Sequence, residues 1–233
     1  MQGVSALIQG LMAKQSEKTP RIIIATLMVA AIAWSASAQL TKEEKAGERD
    51  RWNRIYADPK SDFSHATSQL LIDAVSGRKP GTAIDLGMGE GRNAVFLARQ
   101  GWQVTGVDLS DVAVDQATKH AADAGARIQG VVADLDEYDL GHEKWDLITL
   151  FYMHAWQHLS KLNNTERLKN ALKPGGLLVI EGFGGGDVGY QTNELLRAFD
   201  GLRVLRYEDS AGEAAWAPGQ KSRIIRFIAQ KSK

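Results

Sequence analysis

"TAIDLGMGEGRNAVFLARQGWQVTGVDLS", Thr82 to Ser110, decides how this chain folds. Five residues rich in apolar side chains run into glycines at alternating positions, Gly87, Gly89 and Gly91, beside the acid Asp85. Apolar residues then recur at helical spacing (Val95, Leu97, Ala98), and a second apolar strand ends in an acid, Asp108, 21 positions beyond Gly87. The change of period from two to three and four reads as strand, turn, helix, strand. Glycines at such a turn remove Cβ atoms where a ligand approaches the backbone, and the helix start presents free N–H groups there. An acid at the tip of the next strand can accept both hydroxyls of a ribose. The glycines read G-x-G-x-G, one residue short in the last interval of the dinucleotide form G-x-G-x-x-G.

Outward from this unit the alternation continues. Strands are expected at 82–86, 102–107, 127–132, 145–150 and 177–182, with helices at 91–100, 111–124 and 157–171 between them. Such alternation requires right-handed crossovers and a mostly parallel sheet covered on both faces. "ELLRAFDGLRVLRYEDS" reads as a helix, a turn at Asp200-Gly201 and a strand, and "KSRIIRFIAQK" as a second strand. A short loop between them predicts an antiparallel hairpin at one side of the sheet. Upstream, "TKEEKAGERDRWNRIYA" reads as a charged helix with Trp52, Ile55 and Tyr56 on one side. "FSHATSQLLIDAVSG" reads as a second helix, capped at Ser64 and stopped at Gly77. The glycine-rich "GFGGGDVGY", Gly182 to Tyr190, reads as a flexible loop. The fold class expected is α/β, a doubly wound seven-stranded sheet over residues 39–233.

Residues 1–38 stand apart. Lys14, Lys18 and Arg21 precede the apolar run Ile22 to Trp34, and "SASAQ" follows with the small-x-small pattern of a signal-peptidase site, placing cleavage after Ala38. A run of this length is short for a membrane span, which needs roughly 17–25 residues. The expectation is export, or anchoring through 22–38. Five bases soon after the run (Lys42, Lys45, Arg49, Arg51, Arg54) keep open the alternative of an anchored domain facing the cytosol.

The 233 residues suffice for one substantial α/β domain. Lys plus Arg and Asp plus Glu both total 28, and removing three bases and Glu17 with the leader leaves 25 against 27. A balanced charge does not build the field that a phosphate backbone needs, so nucleic acid is a disfavoured partner and a small molecule the expected one. The chain has no cysteine, which excludes disulfides, a zinc–thiolate site and a cysteine nucleophile.

With "IDLGMGEG", "GVDLS", "VVADLDEYDL", "WDLITLFYMH" and "LKPGGLLVIEGF" in this order and spacing, the chain from about Trp52 onward resembles the class I S-adenosylmethionine-dependent methyltransferases. "GEGRNAVFLARQGWQVTGVDLS" is similar to the branch holding tellurite-resistance and thiopurine methyltransferases, which act on small molecules. The resemblance implies a Rossmann-like fold and S-adenosyl-L-methionine as methyl donor. It also implies roles. Asp85, Gly87, Gly89 and Gly91 belong to the turn against the methionine end, and Asp108 with Leu109 to the ribose. Asp134 would accept from the adenine amino group, Leu135 would flank the ring, and Phe151 would lie close to the methyl. The cofactor is a cationic sulfonium with a ribose and no phosphate, so acids and backbone amides suit it.

"FYMHAWQHL" follows the fourth strand, where open α/β sheets place their crevice. His154 is a candidate general base and Tyr152 a second candidate catalytic group. His154 and His158 are four apart, but no third ligand is indicated and no metal is expected. Trp52, Tyr56 and Trp216 read either as an aromatic lid or as packing. Asn163-Asn164-Thr165 is a formal glycosylation sequon. Two other readings stay open: a non-catalytic S-adenosylmethionine binder, and an NAD(P)-dependent oxidoreductase in which Asp108 would equally hold ribose. Against the latter, the one Tyr-x-x-x-Lys spacing, Tyr56 to Lys60, precedes the glycine turn. A DNA base methyltransferase would carry Asn/Asp-Pro-Pro-Tyr where this chain has "LFYMH".

Overall fold

The alternation of short apolar runs with amphipathic ones builds a seven-stranded sheet in the order β3-β2-β1-β4-β5-β7-β6. The computed structural model describes residues 42–61, 63, 66–159, 163–187, 189–214 and 217–233. In chain order these form α1 (Lys42–Ala57), α2 (Gln69–Val75), β1 (Thr82–Leu86), α3 (Arg92–Arg99), β2 (Gln103–Asp108), α4 (Asp111–Asp123), β3 (Gln129–Val132), β4 (Trp145–Phe151), α5 (His154–Leu159), α6 (Asn164–Ala171), β5 (Leu172–Phe183), α7 (Glu194–Ala198), β6 (Arg203–Ala214) and β7 (Ala217–Gln230). Strands β1 to β5 pair in parallel. β7 joins β5 antiparallel and β6 closes the edge as its hairpin partner. The expected fold class and the C-terminal hairpin are therefore both present. The leader, its cleavage point after Ala38, Ser64 and Trp216 lie outside the described residues. Among the described residues no helix is long and apolar enough to cross a membrane.

Alternation along each strand divides the core. Ile84, Leu86, Ile148, Leu150, Leu178 and Ile180 face α6 and α7, where Leu168, Ala171, Leu195 and Phe199 meet them. Ala83, Leu147, Leu177 and Val179 face the other way, against Leu70, Leu71, Leu97 and Ala117 of α2, α3 and α4. Both faces are buried, which is why the strands read as near-continuous apolar runs.

Three expected boundaries move. The single helix 157–171 is two, α5 and α6, because Asn163 caps the second: its Oδ1 accepts from the Glu166 amide at 3.2 Å. β5 begins at Leu172 rather than 177 and carries an irregularity opposite Trp145/Leu147. α2 begins only at Gln69, and Ser68 stands at its N-cap position with its hydroxyl turned away from the helix. The glycine-rich loop is tied down: Tyr190 is fully buried, bridges to Gly184 and donates its hydroxyl to Gln157 at 2.9 Å.

Chain order reverses between β1 and β4, since β2 and β3 lie to one side and β5 to the other. Ligands of open α/β sheets bind outside the carboxyl ends of the strands at such a point. Asp85, Asp108, Phe151 and Glu181 all sit at these strand ends.

Candidate active site

The glycine turn takes a backbone shape that side chains resist. Gly87 and Gly89 have φ of 71° and 54°, in the left-handed region. The space that a side chain would take is also filled. A Cβ on Gly87 would run into Met153, and one on Gly89 would stand 2.8 Å from the Tyr56 hydroxyl. Gly91 serves packing: it is the N-cap residue of α3, and a Cβ there would stand 2.8 Å from the Cβ of Ala117 on α4.

Asp108 ends β2 beside this turn. Its carboxylate accepts from the Gly89 amide and from the Ser110 amide, both at 2.9 Å. Two backbone donors aim it along the groove and tie it to the glycine turn. Burial, partly offset by the Ser110 and Gly89 amides, raises its pKa above the ordinary carboxylate value. Ser110 caps α4 by accepting from Ala113, so capping falls to Ser110 and leaves Asp108 to the groove.

Asp85 is 2% exposed and accepts from the Thr149 hydroxyl at 2.6 Å. Burial pushes its pKa up to about 6, against the hydrogen bond from Thr149 and the charge of Arg92, which pull it down. Arg92 opens α3, donates to the Ala66 carbonyl at 2.9 Å, and holds its guanidinium 5.9 Å from the centre of the Phe151 ring. Phe151, at the end of β4, is 8% exposed.

Asp134 follows β3. Its Oδ1 accepts from the Asp136 amide at 2.8 Å and its Oδ2 pairs with Lys45 at 2.6 Å. Leu109 is half-buried and its carbonyl accepts from Arg49. Leu135 packs into the core on the α6 and α7 face, and its carbonyl accepts from Arg167.

Tyr152 takes a left-handed backbone, φ 62°, which is uncommon for a bulky residue and marks a constrained position. One residue holds it twice: its amide donates to the Glu181 carbonyl at 2.7 Å, and its hydroxyl donates to the Glu181 carboxylate at 3.0 Å. Burial, and then the Glu181 charge, drives the phenol pKa up, so at neutral pH Tyr152 is a donor and not a base. Glu181 is 3% exposed and also accepts from Arg226 at 2.9 Å. His154 is buried, edge-on to Phe183 and Tyr190. The side chain of His158 lies outside the described residues. Among the described residues no group of three or more His, Cys, Asp or Glu is gathered as a metal site would need.

Sequence reasoning placed this helix and offered Trp52 and Tyr56 as a lid or as packing, but missed its polar contacts with the groove. Lys45, Arg49, Asn53 and Tyr56 of α1 reach Asp134, Leu109, Ser110 and the Gly89 backbone in turn. Their spacing of three and four was the available signal, a single helix face, but it is a polar one. Trp52 stacks on Tyr56 at 5.8 Å between centroids, beside that face.

Residues 83–176 match the family model described as a methyltransferase domain. This stretch of the chain is similar to methyltransferase domains. Over 127 residues the chain is 36% identical to the ribosomal RNA small subunit methyltransferase C of Alcanivorax borkumensis, which takes in 50% of this chain and spans 38% of that relative's length. The chain shares its fold with the Burkholderia thailandensis 1,6-didemethyltoxoflavin-N1-methyltransferase, solved with bound 1,6-didemethyltoxoflavin and S-adenosylhomocysteine, at a TM-score of 0.64 and 20% identity. That match covers 86% of this chain and 94% of the other. TehB from Haemophilus influenzae gives a TM-score of 0.62 at 19% identity, over 79% of this chain and 67% of its own. S-adenosyl-L-methionine is the cofactor of this methyltransferase family. The residues present fit it: Asp85, Asp108 and Asp134 offer acids at three successive strand ends, and Gly87 and Gly89 leave bare backbone between them.

Proposed function

We propose that this protein transfers a methyl group from S-adenosyl-L-methionine to a small-molecule acceptor. The observation that carries the reading is Asp108, held by the Gly89 and Ser110 amides at the mouth of the left-handed glycine turn. That geometry suits a ribose one strand away from a group lying on the backbone. S-adenosyl-L-methionine brings a methyl already activated by positive sulfur. The protein's work is alignment and exclusion of water. Asp108 grips the sugar, Asp134 the base, and Asp85 with the glycine turn the methionine end. Phe151 and Tyr152 border the methyl end, and the bond from Tyr152 to Glu181 fixes the loop that follows β4. His154 is the residue from which a weakly acidic acceptor would lose a proton; an acceptor that is already ionised needs none.

The balanced charge of 28 bases against 28 acids supports a small acceptor over nucleic acid, and the motif likeness supports the tellurite-resistance and thiopurine branch. The test is release of S-adenosylhomocysteine from S-adenosylmethionine with a panel of thiols and oxyanions, beside thermal melting with each nucleotide. Turnover separates an enzyme from a non-catalytic binder. A melting shift with NADH and none with S-adenosylmethionine or S-adenosylhomocysteine would overturn the reading.

We further propose that the segment ahead of the domain takes it to a membrane, with cleavage after Ala38 and export, or with retention as an anchor through 22–38. Because the donor is made in the cytosol, an anchored domain facing that side is the arrangement in which the enzyme meets it. Fractionation with protease accessibility separates the two: a protected, membrane-bound domain would rule out secretion.

A further inference from the structure

Along its length, helix α1 meets the groove through a row of polar contacts. Asn53 accepts from Ser110 at 2.6 Å and donates to Asp111 at 2.7 Å, and the Tyr56 carbonyl accepts from Gln116 at 3.0 Å. Further toward its N-terminus, Arg49 donates to the Leu109 carbonyl at 3.0 Å, and Lys45 pairs with Asp134 at 2.6 Å and with Glu137 at 3.4 Å. From Lys45 to Ala57 every residue of α1 keeps some exposure to solvent. The first turns of α1, up to Arg51, carry no large apolar side chain, so they belong to the less stable part of the fold and can leave without opening the core. The partners it takes are those of the proposed cofactor site. Asp134 has one oxygen occupied by the Asp136 amide and the other by Lys45.

We infer that Lys45 is an affinity-setting residue of the cofactor site: its ammonium and the adenine amino group compete for the same Asp134 oxygen, so cofactor binding displaces the first turns of α1. This rests on the cofactor reading above. The competition is uneven in a way chemistry dictates. An ammonium–carboxylate pair is a charge-assisted bond, while the adenine amino group is a neutral donor. Burial lowers the Lys45 pKa, but the hydrogen bond and charge of Asp134 outweigh it, so the lysine stays protonated across the working range. The pair is only partly buried, with side-chain exposures of 17% and 20%, so dissolved salt screens it. The donor bond that the adenine makes is screened far less.

Titration calorimetry with S-adenosylhomocysteine, a net-neutral probe, tests this in the full chain. Lys45→Met keeps the length of the stem and removes the charge. It is expected to bind about two- to fivefold more tightly than wild type at low salt, the upper part of the range a partly exposed ion pair commands. Wild-type affinity is expected to improve as sodium chloride rises from about 20 to about 300 mM, toward that of the variant, which should stay flat. Hydrogen exchange of the amides in 42–52 should accelerate when the probe is added. Affinity in Lys45→Met equal to or weaker than wild type would overturn the inference, as would wild-type affinity that falls with salt or first turns that become protected on binding. The wild-type salt series reads the competition even where the variant folds poorly. If folded wild type and variant both ignore the probe, the cofactor reading itself falls and the inference with it.

Discussion

Replacing Asp85 by Asn isolates what a buried carboxylate costs this fold. Asp85 is 2% exposed, and burial lifts its pKa from an ordinary 3.8 to about 6, with Thr149 and Arg92 pulling the other way. A folded pKa above the unfolded one means that the native state binds the proton more tightly. Stability from this group is therefore fully present below about pH 3.8 and is lost as pH rises through 6. The difference of 2.2 units corresponds to about 3 kcal/mol, of which about 2 kcal/mol develops between pH 4.5 and 8. Asn keeps an oxygen to accept from Thr149 and carries no charge at any pH. Urea unfolding at pH 4.5 and pH 8 should therefore show Asp85→Asn gaining about 2 kcal/mol on wild type over that interval. The comparison across pH cancels whatever fixed difference the amide introduces. Parallel pH profiles for the two proteins would refute the reasoning, because they would mean that the carboxylate titrates alike in folded and unfolded chains. A gain in stability that accompanies lost cofactor affinity would place Asp85 among residues kept for function at the expense of the fold.

Other outcomes follow from the same contacts. Asp108→Ala should weaken S-adenosylhomocysteine binding more than tenfold by calorimetry; it also strands the Gly89 and Ser110 amides, for a stability loss of about 1–3 kcal/mol in urea. Gly89→Ala forces a side chain into the left-handed region against the Tyr56 hydroxyl, so it should lose about 1–2 kcal/mol, and its calorimetric titration should show little or no binding. Arg226→Met leaves the Glu181 carboxylate buried without its cation and should destabilise by about 3–5 kcal/mol; adding Glu181→Gln should restore most of it, and a double variant no more stable than Arg226→Met would refute the pairing.

Where the sequence could be read, the reason is local. The turn from β1 to α3, the Ser110 cap and the acid at the end of β2 all lie within one stretch of 29 residues, Thr82 to Ser110, and each announces itself by residue type. A left-handed turn needs glycine, a cap needs a short hydroxyl or carboxylate, and a half-buried helix needs its apolar stripe. The split between α5 and α6 escaped because Asn163 works as a cap only if the chain before it leaves the helix, and an Asn inside a polar run gives no sign of that. The second helix began four residues late for a similar reason. Ser64 and Ser68 are equally good caps on paper, and the Ser68 hydroxyl turned instead toward Glu181, at 3.5 Å.

The side of the crevice proposed for the acceptor was less legible because its chemistry is set by register. Glu181 reads as one polar residue in an apolar strand. It becomes a clamp only because β7 runs antiparallel to β5 and places Arg226 directly opposite it, while β6 places Glu208 opposite the same arginine. The guanidinium meets Glu181 at 2.9 Å and Glu208 at 3.6 Å, so a residue 45 positions away keeps Glu181 in place to hold Tyr152. In a wholly parallel sheet the chain would have to cross over before adding this strand, and the register would differ. The two halves of the crevice thus depend on different information. The proposed cofactor contacts come from consecutive turns and survive in short motifs, whereas the wall proposed to flank the methyl end comes from a hairpin whose pairing is fixed by apolar alternation far from the site. Substitutions that shift the β5–β7 register by one residue would move Arg226 off Glu181 and release Tyr152, yet leave "IDLGMGEG" and Asp108 untouched. Such a variant should still bind S-adenosylhomocysteine and lose methyl transfer.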